Sequence, residues 1–120
     1  MKVALVDDRM RIVASAARCH RVEHSTPDRS ELDLHRLWSH LIDCLGEICE
    51  GGHDLHAVAG IGLSCLSPGL IPIGKDGELL SRAILYTDRR SIAEEQWIKK
   101  QIGIKRIFDI TANNLMAGAI

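Results

Sequence analysis

The stretch Ile61–Arg90, IGLSCLSPGLIPIGKDGELLSRAILYTDRR, carries the side chains best suited to holding a small polar ligand. Ser67 has a hydroxyl that both donates and accepts. Tyr86 offers a ring with a polar tip. Asp88 can accept from a ligand hydroxyl, or can cap a helix and pair with Arg90. Pro68 contributes shape alone. The Ser67-Pro68-Gly69 turn and the Tyr86-Thr87-Asp88 strand end are expected to converge on one pocket. Other chemistries are weaker. His40 and Cys44 lie one turn apart, a spacing that can hold zinc, but Cys49 falls on the apolar stripe of the same segment and His40 on its polar side, so the histidines and cysteines do not converge. Asp7 and Asp8 read as a solvated hairpin turn. Gly60-Ile61-Gly62 precedes strand-like residues where a phosphate loop would open a helix, so these glycines read as packing positions.

Several elements must position those residues. Lys2–Val6 and Arg11–Ala17 are two β-compatible runs around a polar turn, a hairpin with no Asn-Gly or Asp-Gly to fix its type. Cys19–Arg29 is a connection. From Asp33 as N-cap, Leu34, Leu37, Trp38, Leu41, Ile42, Leu45, Ile48 and Cys49 recur at the spacing of a buried helix face. Gly51-Gly52 supplies the stop. The small apolar run His56–Ser64 predicts a buried strand, parallel to its neighbours. Leu70–Ile73 predicts a short strand at an edge or bulge because of Pro72, Lys75–Glu78 a turn around Gly77, and Ala83–Thr87 a further strand. Ser91 with Glu94 forms a capping box for a helix over 91–102 that ends at Gly103. Residues 104–110 suggest another helical turn and 111–120 a loop. The order is that of a mixed α/β domain.

Composition narrows the function classes. With 120 residues, 46% hydrophobic and 26% charged, the chain has the profile of one globular domain. Its net charge of −1 and scattered basic pairs argue against a nucleic-acid surface or a polybasic membrane patch. No apolar run approaches the roughly 20 residues needed to span a bilayer. The Met1–Arg11 segment turns acidic too early for a signal peptide. Cys19, Cys44, Cys49 and Cys65 show no CxxC spacing and read as reduced thiols in a cytoplasmic protein.

Five segments in order resemble the N-terminal domain of the FGGY carbohydrate kinases, the group that includes xylulokinase, gluconate kinase and glycerol kinase. They are Val6-Asp7 with Ile12-Val13-Ala14; Glu31-Leu32-Asp33 running into Leu37-Trp38; Ile61-Gly62-Leu63-Ser64; Asp76-Gly77 followed by Ala83–Arg90; and Thr111–Asn114 with Gly118. The resemblance covers nearly the whole chain. It departs from the family pattern where Tyr86 replaces the usual tryptophan, Arg89 a small residue and Ala112 a glycine.

The resemblance implies a ribonuclease H-like (actin-like ATPase) α/β fold, a mixed sheet with flanking helices, here lacking the family's first strand. Residues 1–120 are expected to be a partial N-terminal domain, with the Asp-x-Gly-Thr phosphate loop and the entire C-terminal domain outside it. The uncapped Ala-Gly-Ala-Ile end reads as truncation. The family transfers the γ-phosphate of ATP, with Mg²⁺, to a sugar or polyol hydroxyl. It places Ser67, Pro68, Tyr86, Asp88 and Asn113 against the substrate. No catalytic residue is expected here, since the catalytic aspartate belongs to the missing half, and neither ATP nor metal is expected to bind this chain tightly. Self-association through an uncovered sheet edge is expected. The alternative is a non-catalytic ligand-binding or interaction module derived from the kinase fold.

Overall fold

The computed structural model describes residues 1–118, which fall into two compact units. The first comprises Met1–Arg21 and Leu34–Cys65. Strand β1 (Lys2–Val6) pairs antiparallel with β2 (Ile12–Ala17), as the sequence predicts. The register runs from Lys2↔Ala17 to Leu5↔Ala14, then slips to Val6↔Ile12, leaving Val13 as the extra residue of a β-bulge. Asp7 fixes the turn that the sequence left undetermined. One carboxylate oxygen accepts from the Arg9 and Arg11 amides, both at 2.9 Å, and the other from Arg11 Nε at 2.7 Å. Those Arg11 bonds hold the Asp7 carboxyl below its ordinary pKa. Met10 takes a left-handed conformation (φ 62°) without being glycine.

Helix α1 (Leu34–Glu50) starts directly after Asp33. Its end is a Schellman motif: the Gly52 amide donates to Cys49 O at 2.9 Å, the His53 amide to Ile48 O at 3.4 Å, and Gly52 has φ 85°. Cys44 and Ile48 pack with Ala16 into a core ringed by Val3, Leu5, Ala14 and Leu55. The buried face is rotated from the predicted one. Cys44 is fully buried and His40 half-buried, whereas Trp38, Ile42 and Cys49 are exposed. The apolar arc of α1 is wider than a two-stranded hairpin can cover, so its Trp38–Ile42 side faces outward.

The buried strand expected over His56–Ser64 does not form. Leu55–Ala57 is a single 3₁₀ turn capped by Asp54, whose side chain accepts the His56 amide at 2.9 Å. No strand among the described residues pairs with the run that follows, and Ile61 and Leu63 are 86% and 91% exposed. An apolar run becomes a strand only when a neighbour takes up its amides and carbonyls, and both sheets that form among these residues are antiparallel.

The second unit comprises Val22–Asp33 and the chain from Leu66 onward. Its sheet has the order β3 (Glu31–Leu32), β5 (Ala83–Leu85), β4 (Gly69–Leu70). Central β5 buries Ala83 and Leu85. Gly77 (φ 86°) closes the 74–78 turn, where the Gly74 amide meets Glu78 O at 2.8 Å. Helix α2 (Ile92–Ile102) follows Ser91, which makes no side-chain cap bond, so the predicted capping box is not formed. The turn before the helix is organised instead by Asp88, which accepts the Arg90 amide at 3.0 Å. Gly103 (φ 85°) separates α2 from α3 (Ile104–Thr111), and Ala112 caps α3 in a left-handed conformation.

Candidate sugar-binding wall

The register Gly69↔Leu85 brings the residues just before β4 and just after β5 to the same end of their ladder. Pro68 immediately precedes β4, whereas the strand expected to reach Thr87 stops at Leu85, and the chain turns at Tyr86-Thr87, where the Asp88 amide donates to Leu85 O at 2.9 Å. Ser67 and Pro68 are exposed and joined by a cis peptide. Tyr86 is 42% exposed. The β4–β5 pairing therefore puts the 67–69 turn and the 86–88 turn at the same end of one ladder.

Asp88 fixes that strand end from beneath. It is 1% exposed, and its carboxylate accepts four N–H groups. Oδ1 receives the Arg90 amide at 3.0 Å and Arg90 Nε at 2.9 Å. Oδ2 receives the Ser30 amide and Arg90 Nη2, both at 2.8 Å. Arg90 Nη2 also reaches Glu31 Oε1 at 2.5 Å, tying the network to β3. The Arg90 side-chain bonds and the Ser30 amide outweigh the cost of burial and hold the Asp88 carboxyl down to about 2. The same pairing makes Arg90 harder to deprotonate. All four lone-pair positions of Asp88 are thus occupied by protein donors.

Asn113 is held separately. Its backbone amide donates to Thr111 Oγ1 at 3.1 Å, and that hydroxyl donates to Ile107 O at 2.8 Å with the Asn113 carbonyl at 3.2 Å as its longer alternative, a local turn at the end of α3. The segment it opens returns to the strand end at Gly118. A Cβ placed there would sit 2.5 Å from Tyr86 O and 2.6 Å from Asp88 O. The sequence signalled Arg90 through its place two residues after Asp88 and Glu31 as part of a family-like segment, but gave no sign of Ser30 or that Glu31 would meet Arg90. Among the described residues no group of three or more His, Cys, Asp or Glu side chains is placed to hold a metal ion.

The model of the N-terminal domain of the FGGY family of carbohydrate kinases matches residues 1–119. The chain belongs to this family. A xylulose kinase of Staphylococcus xylosus is 27% identical over 119 residues, which are 98% of this chain and 24% of that protein. Among solved structures, a xylulose kinase of Rhodospirillum rubrum superposes with a TM-score of 0.87 at 20% identity, covering 96% of this chain and 24% of that one. A gluconate kinase of Lactobacillus acidophilus gives 0.80 at 21% identity, over 90% and 22%. The fold is accordingly the ribonuclease H-like, actin-like α/β fold of FGGY kinases. This FGGY chain spans about a quarter of the length of these relatives.

Proposed function

We propose that this FGGY domain supplies the sugar-facing wall of a kinase that transfers the γ-phosphoryl group of ATP to a sugar or polyol hydroxyl. The observation that carries the reading is the strand end at β4–β5, where Ser67, Pro68 and the half-exposed Tyr86 stand on a backbone fastened by buried Asp88. A ligand of many hydroxyls and short C–H faces suits that surface: the Ser67 hydroxyl donates and accepts, and the Tyr86 ring packs on carbon. Pro68 shapes the turn and Asn113 offers an amide from the loop after α3. Asp88, with its lone pairs occupied, belongs to the wall as the group that positions Tyr86. The relatives named for xylulose and gluconate support a ketopentose or sugar acid among the first ligands to test.

ATP and Mg²⁺ are proposed for the whole enzyme, where phosphoryl transfer is chiefly positioning and charge stabilisation. The sequence of residues 1–120 has no glycine-rich phosphate loop, and ATP is proposed to bind elsewhere in that enzyme. Residues 1–120 are proposed as part of an N-terminal domain, inactive alone, in a cytoplasmic protein with neither nucleic acid nor membrane as partner. Among the described residues no helix is long and apolar enough to cross a membrane. The uncovered run with Ile61 and Leu63 supports self-association. Sedimentation of the chain should show concentration-dependent mass that Leu63→Lys reduces; a monomer at every concentration would remove this part of the proposal.

The direct test titrates the chain with D-xylulose, D-gluconate and glycerol while following amide and Tyr86 ring resonances. Ser67, Tyr86 and Asn113 are expected to respond to at least one ligand, and Tyr86→Ala to weaken it about tenfold. No response in a folded chain would refute the wall. Phosphorylation of any of the three by the chain alone would refute its inactivity.

A further inference from the structure

We infer that Glu95 is a positioning residue for this wall: its carboxylate fastens the segment after α3 to the strand end that carries Tyr86. This rests on the reading of Tyr86 as sugar-facing. Glu95 is 7% exposed on a helix whose other carboxylate, Glu94, points to solvent. Buried carboxylates are retained only when paired and hydrogen-bonded, and Glu95 has both kinds of partner. Lys99, one turn on, meets Oε1, and the amide of Ala117 donates to Oε2 at 2.7 Å. Ala117 is itself only 2% exposed, so its N–H has no access to water as an alternative.

The next residue explains what the bond positions. Gly118 has φ +84°, and a Cβ there would overlap the carbonyls of Tyr86 and Asp88. The backbone at 118 therefore lies flush against the strand end, one residue beyond the amide that Glu95 holds. Lys99 and the Ala117 amide keep the Glu95 carboxyl ionised below its ordinary pKa, so the fastening persists at neutral pH. A glutamate in the first turn with a lysine four residues on is ordinary for an exposed helix. The burial of Glu95 and its bond to the Ala117 amide go beyond that, and they make it a link from α2 to the 113–118 segment.

The experiment compares wild type, Glu95→Gln and Glu95→Ala in two readouts: exchange of the Ala117 amide, and affinity for whichever of D-xylulose, D-gluconate or glycerol binds. Glutamine retains an acceptor for Ala117 and loses the charge, whereas alanine removes both. Glu95→Gln is expected to stay within about threefold of wild type in both readouts. Glu95→Ala is expected to speed Ala117 exchange and weaken the sugar at least tenfold each, while the Leu85 amide, bonded to Ser30 O at 3.0 Å, keeps its protection. Unchanged affinity in Glu95→Ala with a freed Ala117 amide would overturn the inference and leave the wall intact. Binding of none of the three by wild type would overturn the wall, and the inference with it. Should Glu95→Ala also lose Leu85 protection, Glu95→Gln decides, and a tenfold loss of affinity there would overturn the acceptor role.

Discussion

Replacing Asp88 by asparagine keeps the shape of the side chain and removes half of what it does. One amide oxygen can still accept two of the four N–H groups now held by the carboxylate. The NH₂ group then faces either the pair on Oδ1, Arg90 N and Nε, or the pair on Oδ2, Ser30 N and Arg90 Nη2, and in both cases donor meets donor. Bonds to a charged partner are worth about 1.5–3 kcal/mol each. Arg90 is 28% exposed and keeps Glu31, so part of its loss is recovered from water and from that pair. A destabilisation of about 2–3 kcal/mol at neutral pH follows. Linkage gives a figure of the same size: a carboxyl held at about 2 in the folded chain, against about 3.9 unfolded, stabilises by roughly 2.5 kcal/mol once ionised in both states. Because the folded pKa is the lower one, this stability is fully present above about pH 5, declines as pH falls through 4, and is gone below about 2. Urea unfolding of wild type and Asp88→Asn at pH 7, 5, 4 and 3 measures both the size and the trend. A difference under about 0.5 kcal/mol at pH 7, or one that stays constant from pH 7 to pH 3, would refute the account of Asp88 as the fastening of the strand end.

Two glycines with positive φ should separate close approach from conformational preference. Gly77→Ala, with open space around its Cβ, is expected to cost about 1 kcal/mol, and Gly118→Ala, which meets two carbonyls, at least twice that in thermal unfolding. Met10→Gly should stabilise the hairpin by about 1 kcal/mol, since Met10 is 84% exposed and its left-handed backbone is the main thing the substitution changes; a destabilised variant would contradict this. Of the four thiols, Cys19, Cys49 and Cys65 are exposed and should react with a thiol reagent in the native chain, and Cys44 only on unfolding. Fast labelling of Cys44 by peptide mapping would place the core elsewhere.

What could be read from the sequence was what local chemistry determines. The hairpin, the stop of α1 at Gly51-Gly52, the Gly77 turn and the break at Gly103 each depend on a few adjacent residues, and each is present. The rotation of α1 was hidden because an apolar arc records what can be buried, whereas the breadth of the covering surface decides what is. His56–Ser64 has the composition of a core strand, but pairing is a property of two segments, and composition reports only one. Strand β3 is two residues long and carries no period. The placing of Ser67, Pro68 and Tyr86 near one end of the β4–β5 ladder agrees with the order of loop and strand in the sequence, although β5 stops at Leu85, short of the expected Thr87. The bonds from Ser30 and Glu31 were not legible, because they lie 58 and 59 residues away along the chain from the groups they meet.

The single glycine between α2 and α3 has a consequence for how the wall would receive a ligand. With no linker, the direction of α3 is set by the two torsions of Gly103 (φ 85°, ψ 136°), a combination few other residues adopt. At its far side the same stretch is tied down again at Ala117. Residues 104–116 therefore form a loop closed at both ends, and its closure entropy is spent during folding. On the proposed reading, a sugar bound beside Asn113 would meet a segment already ordered, so less of its binding free energy would be consumed in arranging the protein.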